Sequence, residues 1–228
     1  MSLLRSDHGK RRSKVRVMDK ASLAADFLST QAVKLNPDDP FLYASGMRGP
    51  IYCDNRLIIS YPLIRRRFTK AMHELSQRLT FQVVGATATA GIPHGAWLAE
   101  SLNLPMLYVR GSNKAHGNCN RVEGAFKPEQ RVLLVEDLVT TGMSSLSAVE
   151  ALRSEGLEVN CVISLFQYGL PGVKQRFEDA GVHLKSVLTL DQLFLQWRKC
   201  HLYLEKLQMQ QTFTTKCLKI RNVQFFLL

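Results

Sequence analysis

From residue 81 onward, short apolar runs alternate with amphipathic helical patterns, and this alternation leaves few folds open. The apolar runs at 81–86, 104–109, 131–135, 159–166 and 184–188 read as strands. Between and after them, 94–102, 144–154, 174–180 and 190–207 read as helices, with Gly156 as a helix stop. Repeated strand-helix units of this kind imply βαβ connections and a parallel sheet wrapped by helices, so the expected class is α/β. Residues 110–124 break the rhythm with a polar, Gly- and Asn-rich loop.

The first third is organised differently. Asp19 or Ser22 can cap a helix over 23–35, with Leu23, Phe27, Leu28 and Val33 on one side and the two prolines at 37 and 40 to stop it. Around 41–57 two short extended pieces near Ser45-Gly46 and Gly49-Pro50 read as a hairpin. Pro62 opens a helix whose apolar stripe is Ile64, Phe68, Met72, Leu75 and Leu79. The arginines at 65–67 mostly fall off that stripe and read as a solvated face.

Charge settles what kind of partner to look for. The chain of 228 residues carries a formal net charge of +11. Residues 1–20 hold +5 and residues 197–228 another +5, which leaves +1 for everything between. The basicity sits in the ends, so a bound nucleic acid is a poor expectation for the body of the protein. Residues 1–18 read as a flexible basic tail. No run approaches the ~20 apolar residues that a membrane span needs, and no export signal follows the basic start, so a cytosolic compartment and no membrane partner are expected. The five cysteines form no CxxC pair and no metal-ligand spacing, which reads as free thiols. Cys53 reads as a small apolar filler, His94 as a helix-start or packing residue and His73 as structural.

Chemistry concentrates in VLLVEDLVTTGMSS, 132–145. An apolar strand ends in Glu136 and Asp137, a short turn follows, and a helix begins near Ser144. In open α/β sheets, ligands bind just beyond the carboxyl ends of strands. A loop entering a helix N-terminus offers backbone N–H groups and a favourable dipole to an anion. Thr140, Thr141 and Ser144 add hydroxyl donors, and Gly142 permits close approach of the backbone. The loop suits a phosphate. The two acids suit hydroxyl groups a few ångströms away, such as a ribose diol, or a Mg²⁺ ion. Together they describe a site for a ribose 5-phosphate.

This segment resembles the phosphoribosyl-pyrophosphate (PRPP) motif of the type I phosphoribosyltransferases. Three further segments are similar to the orotate-specific branch: SGMRGPIYCDNR at 45–56, like its N-terminal hood; TATAGIPHG at 87–95, like its pyrophosphate loop; and VRGSNKAHG at 109–117, like its mobile catalytic loop. The resemblance covers roughly 19–195. It implies the type I phosphoribosyltransferase fold, a parallel sheet flanked by helices with a small hood, mainly 19–60, within one domain over 19–207. Residues 208–228 form an extension of unassigned structure.

The resemblance also implies a reaction: transfer of phosphoribose from PRPP to orotate, giving orotidine 5′-monophosphate and pyrophosphate, as in pyrimidine biosynthesis. Arg110, Lys114 and His116 match the catalytic loop and would close over the pyrophosphate, with Asp137 as a further catalytic residue. Glu136 and Asp137 would hold the ribose hydroxyls. Leu138, Val139, Thr140, Thr141, Gly142, Met143 and Ser144 would form the PRPP loop, with Thr140 also reaching the base. The cofactor is Mg²⁺, carried by PRPP with no direct protein ligand. A homodimer with shared active sites is implied. Departures from the family pattern bear on the base. Gly111 stands where some members carry a second basic residue, Ala44 where many carry Lys, and the strand at 159–166 runs into Gln167 where many place a carboxylate-binding Arg. Arg48 is the candidate to bind orotate instead. A transferase for a purine or uracil, or a PRPP-sensing regulator with a basic nucleic-acid-binding arm, are the alternatives.

Overall fold

The computed structural model describes residues 19–36, 38–43, 46, 48–111 and 121–206. The basic tail at 1–18, most of the loop at 110–117 and the extension at 208–228 lie outside them.

Helix α1, Lys20–Ser29, begins where Asp19 accepts the Ser22 backbone N–H at 3.1 Å. It ends earlier than the apolar spacing suggests. Thr30 donates its hydroxyl to the Phe27 carbonyl at 2.7 Å, Gln31 takes a positive φ of 56°, and the chain leaves the helix. Val33–Leu35, expected as the last helical turn, is instead strand β1. A β-branched residue and a partner strand outweigh helical spacing here: β1 pairs antiparallel with β4, Ile51–Cys53. The expected hairpin is present, as β2 (Phe41–Leu42) against β3 (Arg48–Gly49). A 3-10 turn, Asn55–Ser60, leads into α2, Pro62–Ser76, with proline in its first turn. Phe68 and Met72 are buried, and Ile64, Leu75 and Leu79 pack against the core, so the apolar stripe is as expected. The arginine run at 65–67 divides. Arg66 is exposed. Arg65 donates to the Ile59 carbonyl at 3.1 Å and lies 4.9 Å over the Trp97 ring, and Arg67 pairs with Asp26 at 2.6 Å.

The remaining strands are β5 (Val83–Thr87), β6 (Met106–Val109), β7 (Val122–Glu123), β8 (Arg131–Val139), β9 (Glu158–Gln167) and β10 (His183–Thr189). They form one six-stranded sheet in the order β10-β9-β8-β5-β6-β7. All neighbours are parallel except the short edge strand β7, which runs antiparallel to β6. The helices are α3 (Gly91–Leu102), α4 (Met143–Ser154), α5 (Val173–Asp179) and α6 (Leu190–Lys206). The architecture is the expected α/β one. α1 packs on α2 and α6, α2 on α3 and the β9–β10 side, and α4 lies against β5, β6, β8 and β9.

Two further shifts of boundary bear on function. β8 runs to Val139 rather than 135, because Leu138 and Val139 still pair with Phe166 and Gln167 of β9. The two acids sit within the strand end, as expected, and the turn begins two residues later, after Val139. α3 starts at Gly91, so residues 91–93, read as loop, form its first turn.

The core is continuous beneath this sheet. Phe27 stacks on Phe166 with centroids 5.4 Å apart and tilts against Phe68 at 6.3 Å. Phe166 meets Tyr168 edge-on at 5.5 Å, and Tyr168 meets Tyr43 at 5.6 Å. This aromatic line carries rigidity from the core out to the hairpin. Tyr168 accepts the Cys53 N–H at 3.0 Å, and Tyr43 donates to the Ile51 carbonyl. The small N-terminal strands are thus fastened over the carboxyl end of β9. No helix among the described residues is long and apolar enough to cross a membrane.

Candidate active site

The strand order reverses between β5 and β8. From β5 the chain steps to β6 on one side, and from β8 it steps to β9 and β10 on the other. Such a reversal opens a crevice at the carboxyl ends of the two strands. Thr87 ends β5 and Glu136 lies near the end of β8, so they face each other across it. The Thr87 hydroxyl donates to Glu136 Oε1 at 2.5 Å.

Glu136 is 5% exposed and is the one buried carboxyl among the described residues. Ser145, in the first turn of α4, donates to its Oε2 at 3.0 Å, and the Asp137 N–H donates to Oε1 at 3.1 Å. One carboxyl therefore ties β5, β8 and α4 together. Burial, then the neighbouring charge of Asp137, pushes its pKa up to about 8. Asp137 is only half-buried, and burial raises its carboxyl too. Its carbonyl accepts the Asn55 side-chain amide at 2.5 Å, a bond that reaches from the 3-10 turn into the motif. The pair read from sequence as a joint hydroxyl clamp is thus unequal. Both Glu136 oxygens already accept the protein's own hydroxyls, whereas Asp137 keeps open surface beside the loop.

After β8 the chain turns through Thr140 and Thr141 to Gly142, the residue before α4. Gly142 has φ 82°, and no side chain caps the helix. The first amides of α4 accordingly lack a side-chain partner and face the loop, as an anion site requires. A Cβ at Gly142 would stand 2.6 Å from the Phe177 ring, so only glycine fits. At the start of α3, a Cβ on Gly91 would meet the Thr87 hydroxyl at 2.7 Å and the Val135 carbonyl at 2.9 Å. The 87–93 turn can approach the acids this closely only because it lacks a side chain there.

A cavity of about 560 Å³ opens at this point, lined by Tyr43, Leu138, the loop at 140–145 and Arg176. It brings together Leu138, Thr140, Thr141, Gly142, Met143 and Ser144. Val139 stands apart: its side chain is in the core, and its carbonyl accepts the Tyr168 N–H at 3.1 Å. Arg48 is exposed on β3 and does not line the cavity. Arg110 pairs with Glu123 at 3.3 Å beside the β6–β7 edge, away from the cavity wall. Lys114 and His116 lie outside the described residues.

The residues set aside as structural behave so. Burial pushes the Cys53 thiol up to about 12, far from a thiolate nucleophile at neutral pH. His94 is fully buried, lies edge-on to Trp97 at 5.4 Å, and is held neutral by burial, with a pKa lowered to about 4. His73 meets Ser101 at 3.2 Å on the surface. Sequence reasoning missed Thr87 as the partner of Glu136, Asn55, Tyr43 and Arg176. Asn55 follows Asp54 inside the hood segment, so that motif was its only signal. Nothing in local pattern marks Arg176, because its place depends on how α5 docks.

Among the described residues no three His, Cys, Asp or Glu side chains converge on a metal position. Both Glu136 oxygens accept from the protein, and Asp137, just before the cavity-lining Leu138, is the more exposed of the two carboxylates. That donor set fits Mg²⁺ bound chiefly by substrate oxygens, since Mg²⁺ commonly keeps waters and takes one or two carboxylates plus phosphates.

No protein-family model matches the chain. It is similar to an orotate phosphoribosyltransferase of Coxiella burnetii, 47% identical over 173 residues that span 75% of this chain and 83% of that protein. A second, from Listeria monocytogenes, is 45% identical over 174 residues, 75% of this chain and 83% of that one. Among solved structures, orotate phosphoribosyltransferase from Aeropyrum pernix superposes with a TM-score of 0.69 at 31% identity, covering 82% of this chain and 98% of that one. Leishmania donovani UMP synthase gives 0.75 at 26%, covering 89% of this chain, which spans 41% of that larger protein.

Proposed function

The chain belongs to the orotate phosphoribosyltransferases, a family of pentosyltransferases, and from that premise we propose that it moves phosphoribose from PRPP to N1 of orotate in pyrimidine biosynthesis. The observation that carries this reading is the cavity beyond β8, lined by an uncapped helix start and by the hydroxyls of Thr140, Thr141 and Ser144, which follows directly on Asp137 in the chain.

In the reaction the bond from ribose C1 to pyrophosphate breaks and the pyrophosphate leaves with the bonding pair, while a bond from C1 to orotate N1 forms and the N1 proton passes to the departing pyrophosphate. C1 gains oxocarbenium character and the leaving group gains negative charge. Catalysis is then chiefly positioning and electrostatics. The amides at 142–144 and the hydroxyls of Thr140, Thr141 and Ser144 hold the 5′-phosphate. Asp137 accepts the ribose hydroxyls and faces the positive charge growing on the ring. Glu136 does not act on substrate directly. It fixes Asp137, the β5 end and α4 relative to one another through Thr87 and Ser145. Thr140 borders the base. Arg110, Lys114 and His116 cover the departing pyrophosphate and keep out water, which would otherwise hydrolyse PRPP. Bound Mg²⁺ would neutralise charge on the pyrophosphate. The enzyme acts in the cytosol as a homodimer.

Orotate is an anion and needs a donor for its carboxylate. At the end of β9 the chain runs through Gln167 to Tyr168, and Tyr168 is buried on Cys53 and Tyr43. The base is therefore the part of the reading to test. With PRPP and Mg²⁺ supplied, orotate, uracil, adenine, guanine and hypoxanthine are offered in turn and pyrophosphate release is followed. Release with orotate alone is expected. Release with a purine or uracil, and none with orotate, would replace the base while leaving the PRPP site standing.

A further inference from the structure

The cavity at 140–145 has one charged lining residue among those described, and it comes from outside the motif. Arg176 lies on α5, and its Nη1 donates to the Thr141 carbonyl at 2.8 Å. Its neighbour Phe177 packs against Gly142 so closely that a Cβ there would overlap the ring. α5 is thus seated directly on the loop, with one residue setting the distance and the next bringing a guanidinium to the cavity wall. Among the described residues no acid lines that wall.

We propose that Arg176 is a phosphate-binding residue of this site and takes the 5′-phosphate of the ribose substrate alongside the loop amides. This rests on the PRPP-site reading and adds to it a side chain from a different element. A phosphate monoester carries close to two negative charges near neutral pH. Amides and hydroxyls supply only neutral donors, whereas a guanidinium supplies charge and a planar fork that matches phosphate oxygens. The bond to Thr141 uses one of the five guanidinium N–H donors and holds the group at the loop before any ligand arrives, which lowers the entropic cost of binding.

The test separates charge from tether. Ribose 5-phosphate is titrated by calorimetry into the full chain, Arg176→Gln, Arg176→Met and Arg176→Lys, at low and high salt. Gln keeps an N–H donor for the Thr141 carbonyl and loses the charge; Met loses both. Arg176→Gln is expected to raise the Kd about tenfold or more, the worth of one charge-assisted contact. It is also expected to flatten the salt dependence of binding, and Arg176→Lys to recover part of both. Thermal melts confirm that each variant is folded. Unchanged affinity in Arg176→Gln, with loss only in Arg176→Met, would reduce Arg176 to a tether for Thr141 and overturn the proposal. Failure of the unchanged protein to bind ribose 5-phosphate would overturn the site reading itself, and this proposal with it.

Discussion

Replacing Gly142 by alanine tests the geometry of the proposed phosphate loop at its tightest point. Two costs follow from the structure. The backbone at Gly142 has φ 82°, a conformation that penalises an L-residue by about 1–2 kcal/mol. The new Cβ would also stand 2.6 Å from a ring carbon of Phe177, which is buried at 1% exposure. Overpacking of this kind costs about 1–3 kcal/mol. The sum is about 2–5 kcal/mol, which for a chain of this size lowers Tm by roughly 4–20 °C. The two contributions can be measured apart. Gly169 has φ 68° with nothing within 4 Å of the place its Cβ would occupy, so Gly169→Ala should show the backbone part alone, about 1–2 kcal/mol. Phe177→Leu in the Gly142→Ala background should relieve the packing part. The pair should then be less destabilised than the sum of the two single variants, by about 1 kcal/mol. Thermal and denaturant unfolding of the four variants provides the numbers, and PRPP calorimetry on Gly142→Ala should show weakened binding. Additivity between the Gly142 and Phe177 substitutions, or a Gly142→Ala protein that melts with the parent, would refute the placement of α5 against the loop.

Three other outcomes are expected. Lys114→Ala should lower kcat by orders of magnitude with an unchanged melting curve; near-normal turnover would sink the catalytic role of the 110–117 loop. Asp137→Asn should weaken PRPP binding in calorimetry, and equal affinity would count against Asp137 as the hydroxyl acceptor. Glu136 makes stability pH-dependent. Its folded pKa is raised by burial to about 8 from an ordinary value of 4.5, so the folded state keeps a proton that the unfolded chain releases. Its contribution is fully present below pH 4.5 and is lost as pH rises towards 8. Glu136→Gln, neutral at every pH, should flatten the fall in Tm across that window, and an undiminished slope would show that another group is responsible.

Much of this could be read from residues alone, for physical reasons that differ along the chain. The β8–α4 segment was legible because a buried strand, two acids, two threonines and a glycine each restrict the backbone in the same sense. Its length was not, since Leu138 and Val139 join the strand only through β9. The end of α1 was misread because Val33 continues the helical spacing, while its partner β4 lies far along the sequence. The neighbours of β5 were beyond reach of local pattern, and so was the meeting of Thr87 with Glu136 across the strand reversal. Arg176 belongs with these. An arginine in a short amphipathic helix looks solvated until the docking of α5 brings it to the cavity.

Turnover is the most direct test. The protein is mixed with PRPP, Mg²⁺ and orotate, and the fall in orotate absorbance is followed together with pyrophosphate release. Equal loss of orotate and gain of pyrophosphate, abolished when any one of the three is left out, is the expected result. PRPP binding without any consumption of orotate would contradict the assignment of the base and leave a PRPP site serving another acceptor or none.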